Sequence, residues 1–272
     1  MTRGIAMVAG LDLRTALMSS EANANTKDEG GGFLDTIRVI IHALILAFIV
    51  RIFLYQPFNI PSGSMIPTLL VGDYLFVSKF SYGYSKYSLP WSPDLFDGRI
   101  LASEPKRGDV AVFKLPTDNE TDYIKRVVGL PGDRVQMIRG VLQINGKAVE
   151  RRRIEDFVLR EDGRERRIPR FVETLPDGGA SFETLDLIQG SDADDTPVFE
   201  VPADHFFMMG DNRDNSTDSR FFGGRGVGFV PRDNLIGRAE IIFFSIGDTA
   251  SLFQPWRWPL EIRWGRFLDL ID

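Results

Sequence analysis

The sequence predicts a mainly β protein: an N-terminal transmembrane helix, then an antiparallel β-sheet domain with a smaller β-module inserted in it. Three observations predict this. Residues 37–58 form the single apolar run of membrane length. Beyond Pro61, short β-branched and aromatic runs alternate with turn residues. A charge-dense stretch then interrupts these runs, and they resume near Phe206. A chain of 272 residues is long enough for an anchor plus one sizeable domain.

Residues 1–36 read as a disordered tail. The run Ser19-Ser20-Glu21-Ala22-Asn23-Ala24-Asn25-Thr26 and the triplet Gly30-Gly31-Gly32 carry neither helical nor strand period. Residues 37–58 would rise about 33 Å as a helix, enough to cross a hydrocarbon core. Arg38 and Arg51 lie near its ends, where long cationic side chains reach the headgroups. His42 lies one turn from Arg38, and an interfacial or buried helix is the competing reading. Lys27 and Arg38 favour a cytoplasmic N-terminus, and Arg51 on the far side blunts that argument. Pro57 and Pro61 stop the helix.

Strands are expected at Tyr74-Leu75-Phe76-Val77, at Val110-Ala111-Val112-Phe113-Lys114 and at Tyr123-Ile124-Lys125-Arg126-Val127-Val128. Residues 134–150 suggest a meander, with tight turns at Arg139-Gly140 and Asn145-Gly146. The charged residues 151–170 and the acidic residues 192–195 read as solvated excursions from a less hydrophobic module. Strands return at Phe206-Phe207-Met208-Met209 and over residues 237–244. The plan is thus a core in two parts, 59–135 and 205–272, around an insert at 136–204.

Composition removes several functions. There is no cysteine, hence no disulfide, thiol nucleophile or thiolate metal site, and two histidines are too few for a histidine zinc site. A net charge of -6 gives no basic surface for nucleic acid. Ser64, a few residues beyond the apolar run, is a candidate nucleophile, and a serine hydroxyl needs a base. His42 lies within the apolar run and His205 enters a strand, so a Ser-His-Asp triad does not assemble readily. Lys125 is the alternative base, among the apolar strand neighbours Tyr123, Ile124, Val127 and Val128. Its competing reading is an ordinary solvent-facing lysine. As a base it must be buried: near pKa 10.4 about one lysine in a few thousand is neutral at pH 7, and near 8 roughly a tenth. The loop Gly210-Asp211-Asn212-Arg213-Asp214-Asn215-Ser216-Thr217-Asp218-Ser219-Arg220 reads as a turn-capping polar segment or, through Asp211, Asp214 and Asp218, as a calcium loop without the usual closing glutamate.

Taken in order, Pro61-Ser62-Gly63-Ser64-Met65-Ile66-Pro67-Thr68-Leu69, Arg107-Gly108-Asp109-Val110-Ala111-Val112-Phe113, Asp122-Tyr123-Ile124-Lys125-Arg126-Val127-Val128-Gly129-Leu130-Pro131-Gly132-Asp133 and residues 209–220 resemble the successive signature boxes of bacterial type I signal peptidases. The resemblance covers residues 37–245. It implies a catalytic domain in which Ser64 is the nucleophile and Lys125 the general base. It also implies an oxyanion hole of the Ser64 N–H and the Ser62 hydroxyl, a Ser216 that hydrogen-bonds the lysine, and a supporting Asp218–Arg220 ion pair. Ile60, Met65, Leu69, Tyr123 and Ile124 would line shallow pockets for small side chains. No metal or cofactor is implied. The implied partners are signal-peptide-bearing preproteins, membrane lipid and, by proximity, the secretion translocon, with no nucleic acid. The implied setting is the bacterial cytoplasmic (inner) membrane, single-pass, with the N-terminus cytoplasmic and the catalytic domain on the outer side. The C-terminal Phe253-Gln254-Pro255-Trp256-Arg257-Trp258-Pro259-Leu260-Glu261-Ile262-Arg263-Trp264 would either seat the domain on lipid or pack as core. Two rival readings remain: a self-cleaving repressor, which lacks its DNA-reading domain here, and an inactive membrane-anchored module that only binds exported chains.

Overall fold

The computed structural model describes residues 32–161, 164–176, 178–188, 190–224, 226–247 and 258–271. The expected tail through residue 31 and residues 253–257 of the tryptophan-rich segment lie outside the described residues. The chain divides into two compact units at Phe48.

Helix α1 spans Gly32–Phe53, 22 residues, none of them buried, and an 18-residue window within it has a mean hydropathy of 2.2. Its length, about 33 Å, suits a hydrocarbon core. Asp35 in the first turn and Arg51 in the last match the helix dipole. His42 Nδ1 pairs with the Arg38 carbonyl at 2.7 Å. The expected end at residue 58 is corrected: Tyr55–Asn59 is a strand, because Pro57 cannot continue a helix and the flanking aromatic residues pair with the next strand. Lys79 Nζ caps the last turn by donating to the Arg51 carbonyl at 2.9 Å.

The β unit begins with β1 (Tyr55–Asn59), β2 (Asp73–Ser78), β3 (Val110–Lys114) and β4 (Asp122–Gly129). It continues through β5 (Arg134–Ile138), β6 (Val141–Ile144), β7 (Lys147–Ala148), β8 (Glu150–Glu161), β9 (Arg164–Thr174), β10 (Ser181–Leu185) and β11 (Phe199–Glu200). It closes with β12 (His205–Met209), β13 (Val230–Pro231), β14 (Leu235–Ser245), a short helix α2 (Trp258–Glu261) and β15 (Asp269–Leu270). The main sheet runs β1-β2-β14-β3-β4-β12-β13, with β15 on β14, and its pairings are antiparallel.

Strand alternation gives this sheet two apolar faces. Val110 and Val112 join Ile60, Met65 and Leu69 in one cluster, while Ala111 and Phe113 join Val127 and Phe206 in another. The insert makes two further sheets, β11-β5-β6-β7 and β10-β9-β8. The first shares a core with the main sheet, since Val135, Met137 and Leu142 pack with Val128, Phe207 and Met209. The two predicted turns are there: Arg139 and Gly140, and Asn145 and Gly146, all have positive φ, as two-residue hairpin turns require.

Residues 151–170 face solvent as expected, with Ile168 the one buried residue among those described, but they are regular strand. They form most of the long β8–β9 hairpin, whose register runs from Glu150–Thr174 to Glu161–Arg164. The apolar residues needed for pairing were hidden among arginines, and Ile168 is buried while the Arg151 guanidinium lies 3.6 Å from the centroid of the Phe171 ring. At the C-terminus Trp264 is 64% exposed and stacks on Phe267, so it is surface and not core.

Candidate active site

Ser64 sits in a tight 3-10 turn, Gly63–Met65, directly after β1 and Pro61. The turn is pinned from below: Met65 and Leu69 are fully buried in the sheet core. It is held from above by the loop after β12. Asn212 N donates to the Ser64 carbonyl at 3.1 Å, and Asn212 Nδ2 donates to the Gly63 carbonyl at 3.0 Å. Gly210 makes this approach feasible, for a Cβ there would lie 2.6 Å from the Ser64 oxygen and 2.2 Å from Ser216 Oγ.

Lys125 comes from β4, opposite Ala111 of β3, and is 4% exposed. Its Nζ donates to Ser64 Oγ at 2.7 Å and to the Ile124 carbonyl at 2.9 Å. Burial lowers its pKa to about 8, against the pull of Asp218 and Asp211 toward the charged form. It is therefore not the solvent-facing lysine of the competing reading. Ser62 Oγ lies 3.5 Å from Ser64 Oγ.

Two buried ion pairs frame the loop. Arg220 grips Asp218 through Nε and Nη2, both at 2.9 Å, and Gly210 N donates to Asp218 at 3.0 Å. Burial raises the Asp218 pKa, but Arg220 and these backbone donors outweigh it and hold the carboxyl below its usual range. Arg126, one residue past Lys125, holds Asp211 at 2.9 and 2.8 Å, and Thr68 Oγ1 donates to Asp211 at 2.5 Å. Arg126, Asn212, Gly210 and Thr68 all stand within the motif segments, but the sequence assigned none of them a role at the site, because Arg126, Asn212 and Thr68 act on partners far along the chain.

A groove of about 490 Å³ runs over this pair, with Phe58, Ile60, Ser62, Tyr123, Ile124 and Asn215 among its walls. Three of the five expected pocket residues, Ile60, Tyr123 and Ile124, thus border it. Met65 and Leu69 are corrected: both are 0% exposed beneath the groove, because the turn that presents Ser64 needs them as its hydrophobic footing. Ser216 comes to the site but makes no hydrogen bond to Lys125; its Oγ is buried with no partner among the described residues. A larger cavity of about 700 Å³, near Lys106, Arg107 and Arg238, has no serine, threonine or histidine among the described residues of its lining.

The other sequence candidates fall elsewhere. His205 Nδ1 pairs with the Ala203 carbonyl at 2.7 Å and borders a separate hollow with Arg99 and Arg232. The calcium loop does not assemble, since Asp211 and Asp218 are each taken by an arginine. One group of carboxylates, Asp186, Asp194 and Asp214, does converge to within 4.8 Å. Each already accepts hydrogen bonds, from Arg151, from the Gly190 and Ser191 N–H groups, and from the Leu187 and Ile188 N–H groups respectively.

Residues 33–244 match the family described as "Signal peptidase, peptidase S26". Signal peptidase I of Rickettsia conorii (strain Malish 7) is 41% identical over 240 residues, covering 86% of this chain and 85% of that protein. Signal peptidase I of Rickettsia canadensis is 45% identical over 207 residues, covering 74% and 76% respectively. The crystal structure of a signal peptidase I from Enterococcus faecalis V583 aligns at 25% identity with a TM-score of 0.28, covering 50% of this chain and 97% of that one.

Proposed function

Because the chain belongs to the signal peptidase family of S26 peptidases, we propose that it removes N-terminal signal peptides from exported preproteins by a Ser64/Lys125 dyad. The single observation that carries this reading is the 2.7 Å hydrogen bond between Ser64 Oγ and a buried lysine whose pKa is lowered to about 8. Near neutral pH roughly a tenth of such lysines are neutral, hundreds of times the fraction of an exposed one.

In this mechanism neutral Lys125 takes the Ser64 proton as Oγ attacks the scissile carbonyl. The oxyanion that forms is met by the Ser64 N–H and the Ser62 hydroxyl. The lysinium returns its proton to the leaving amine as the C–N bond breaks, leaving an acyl-Ser64 ester. Lys125, neutral again, then takes a proton from water as the water oxygen attacks the ester, and returns it to Ser64 Oγ on release of the acid. Asp218 and Arg220 shape the site and do not react.

The substrate reading rests on two strand edges that are unpaired among the described residues. β1 pairs only with β2, and residues 122–125 of β4 pair only with β3, since β12 pairs β4 at residues 126–129. An extended chain can add between them as a strand, with its small side chains beside Ile60, Tyr123 and Ile124. Alanine at the first and third positions before the cut fits such shallow walls. Helix α1 is long and apolar enough to anchor the chain in a membrane; the same proposal places it in the inner membrane, with the N-terminus cytoplasmic, the β unit outside, and lipid and the translocon nearby. The test is a preprotein panel offered to the full-length protein in detergent. An Ala-X-Ala site is cut, and phenylalanine at either alanine position abolishes cleavage; equal cleavage of the phenylalanine substrates contradicts the specificity.

A further inference from the structure

The insert is bonded to the loop that closes the dyad. At the end of β10, Leu185 N donates to the Asp211 carbonyl at 2.9 Å, and the next turn gives Leu187 N and Ile188 N to Asp214 Oδ2 at 2.6 and 2.9 Å. From β9, Glu173, 1% exposed, takes both terminal nitrogens of Arg213 at 2.9 and 2.5 Å. The connection continues inward: the Arg213 carbonyl accepts from Arg220 Nη2 at 2.5 Å, Arg220 holds Asp218, and Asp218 holds Gly210 N. Gly210 in turn lies against the Ser64 carbonyl. Hydrogen bonds thus run from the insert as far as Gly210, and the same loop reaches the Ser64 carbonyl through Asn212 N at 3.1 Å.

We propose that Asp214 and Glu173 are positioning residues, through which the inserted module holds loop 210–220 closed against the Ser64–Lys125 pair. The inference rests on the dyad reading and gives the insert a role in it. Closure keeps water away from the lysine, so loosening the brace admits solvent and favours its charged form. The charged groups facing Lys125 are Asp211 and Asp218 from the loop, compensated by Arg126 and Arg220; the Tyr123 ring lies 5.3 Å from Nζ. Asp214 itself faces Asp186 and Asp194, with Arg220 in its field.

The sign of the effect separates this role from simple electrostatics. Removing the Asp214 charge takes a negative group from the neighbourhood, which by Coulomb's law alone favours neutral Lys125 and moves the acid limb of the rate profile to lower pH. Loss of the brace moves it to higher pH. A purely structural role lowers the amount of active enzyme by the same factor at every pH and leaves the limb in place.

The experiment measures the pH profile of preprotein cleavage by full-length Asp214→Ala, Asp214→Asn and Ile188→Pro. Asp214→Ala should move the acid limb up by about one pH unit and lower the rate at pH 7 about tenfold. Asp214→Asn keeps an oxygen for the two N–H groups and should restore the limb to within a few tenths of a unit. Ile188→Pro removes one donor at an exposed position with no change of charge, so it remains folded and should move the limb in the same direction by less. A limb that stays in place or moves to lower pH in both Asp214→Ala and Ile188→Pro overturns the proposal. Lys125→Met, run alongside, separates the two levels: if it cleaves, the dyad reading fails, whereas an inactive Lys125→Met with an unmoved limb in the brace variants sinks the brace alone.

Discussion

Replacing Gly210 by alanine tests how tightly the nucleophile turn and the loop are fitted together. The added Cβ would sit 2.6 Å from the Ser64 carbonyl oxygen, 2.5 Å from Ser216 Cβ and 2.2 Å from Ser216 Oγ. The Ser216 hydroxyl can rotate away, but its Cβ is fixed to the backbone and must move with the loop. The Ser64 carbonyl cannot rotate away, because it also accepts from Asn212 N and its turn is footed on Met65 and Leu69. To reach the 3.4 Å at which ordinary contact begins, that oxygen must retreat by about 0.8 Å. A shift near 1 Å at a reacting group costs on the order of 100-fold in rate, and overpacking a fitted site costs about 1–3 kcal/mol in stability. Gly210→Ala should therefore cleave a preprotein about 100-fold more slowly while remaining folded, with a thermal midpoint lowered by a few degrees. The assay is initial-rate cleavage with a parallel melting curve. A rate within threefold of the parent enzyme would refute the claim that this glycine sets the distance between loop and nucleophile.

Three further outcomes follow from the charges. Cleavage by the parent enzyme should rise about tenfold per pH unit up to about pH 8 and then level, because only neutral Lys125 accepts the serine proton; a flat profile from mild acid to pH 9 contradicts a titrating lysine. The folded-state pKa of Lys125 lies below its ordinary value of 10.5, so the unfolded chain binds the extra proton between about pH 8 and 10.5 and stability contributed by this group rises with pH there. Below pH 8 the burial costs up to about 3 kcal/mol, and Lys125→Met should melt higher than the parent at pH 7 and converge with it near pH 10.5 in denaturation scans. Asp211→Ala leaves the fully buried Arg126 without its carboxylate and should cost about 3–5 kcal/mol by urea unfolding, where a change under 1 kcal/mol would show the pair to be unimportant.

The legible parts of the fold are those where local chemistry decides. Val110–Lys114 is a strand as its β-branched run requires, and Asn145-Gly146 turns the chain because asparagine and glycine tolerate positive φ. The boundary of α1 was not legible, since Tyr55 and Phe58 extend an apolar run whether they lie on a helix or, as here, in register with Ser78 and Leu75. The β8–β9 hairpin was hidden because arginines occupy both of its strands, and the guanidinium groups of Arg151 and Arg153 lie over the Phe171 ring, a pairing that a pattern of polar and apolar letters does not show. At the site, Ser64 and Lys125 were nameable from their boxes. The Glu173–Arg213 and Arg126–Asp211 pairs were not, because their partners lie 40 and 85 residues apart and nothing local in either segment marks the other. Met65 and Leu69 show the reverse error: a resemblance placed them on a surface that the folded turn needs as its footing.

The central claim is that Ser64 attacks and Lys125 takes its proton. The most direct measurement is cleavage of an Ala-X-Ala preprotein by purified full-length Ser64→Ala and Lys125→Ala in detergent at pH 8, each checked for a parent-like melting curve. Both variants should be folded and should release no mature protein. Cleavage by folded Lys125→Ala at the parent rate would contradict the dyad.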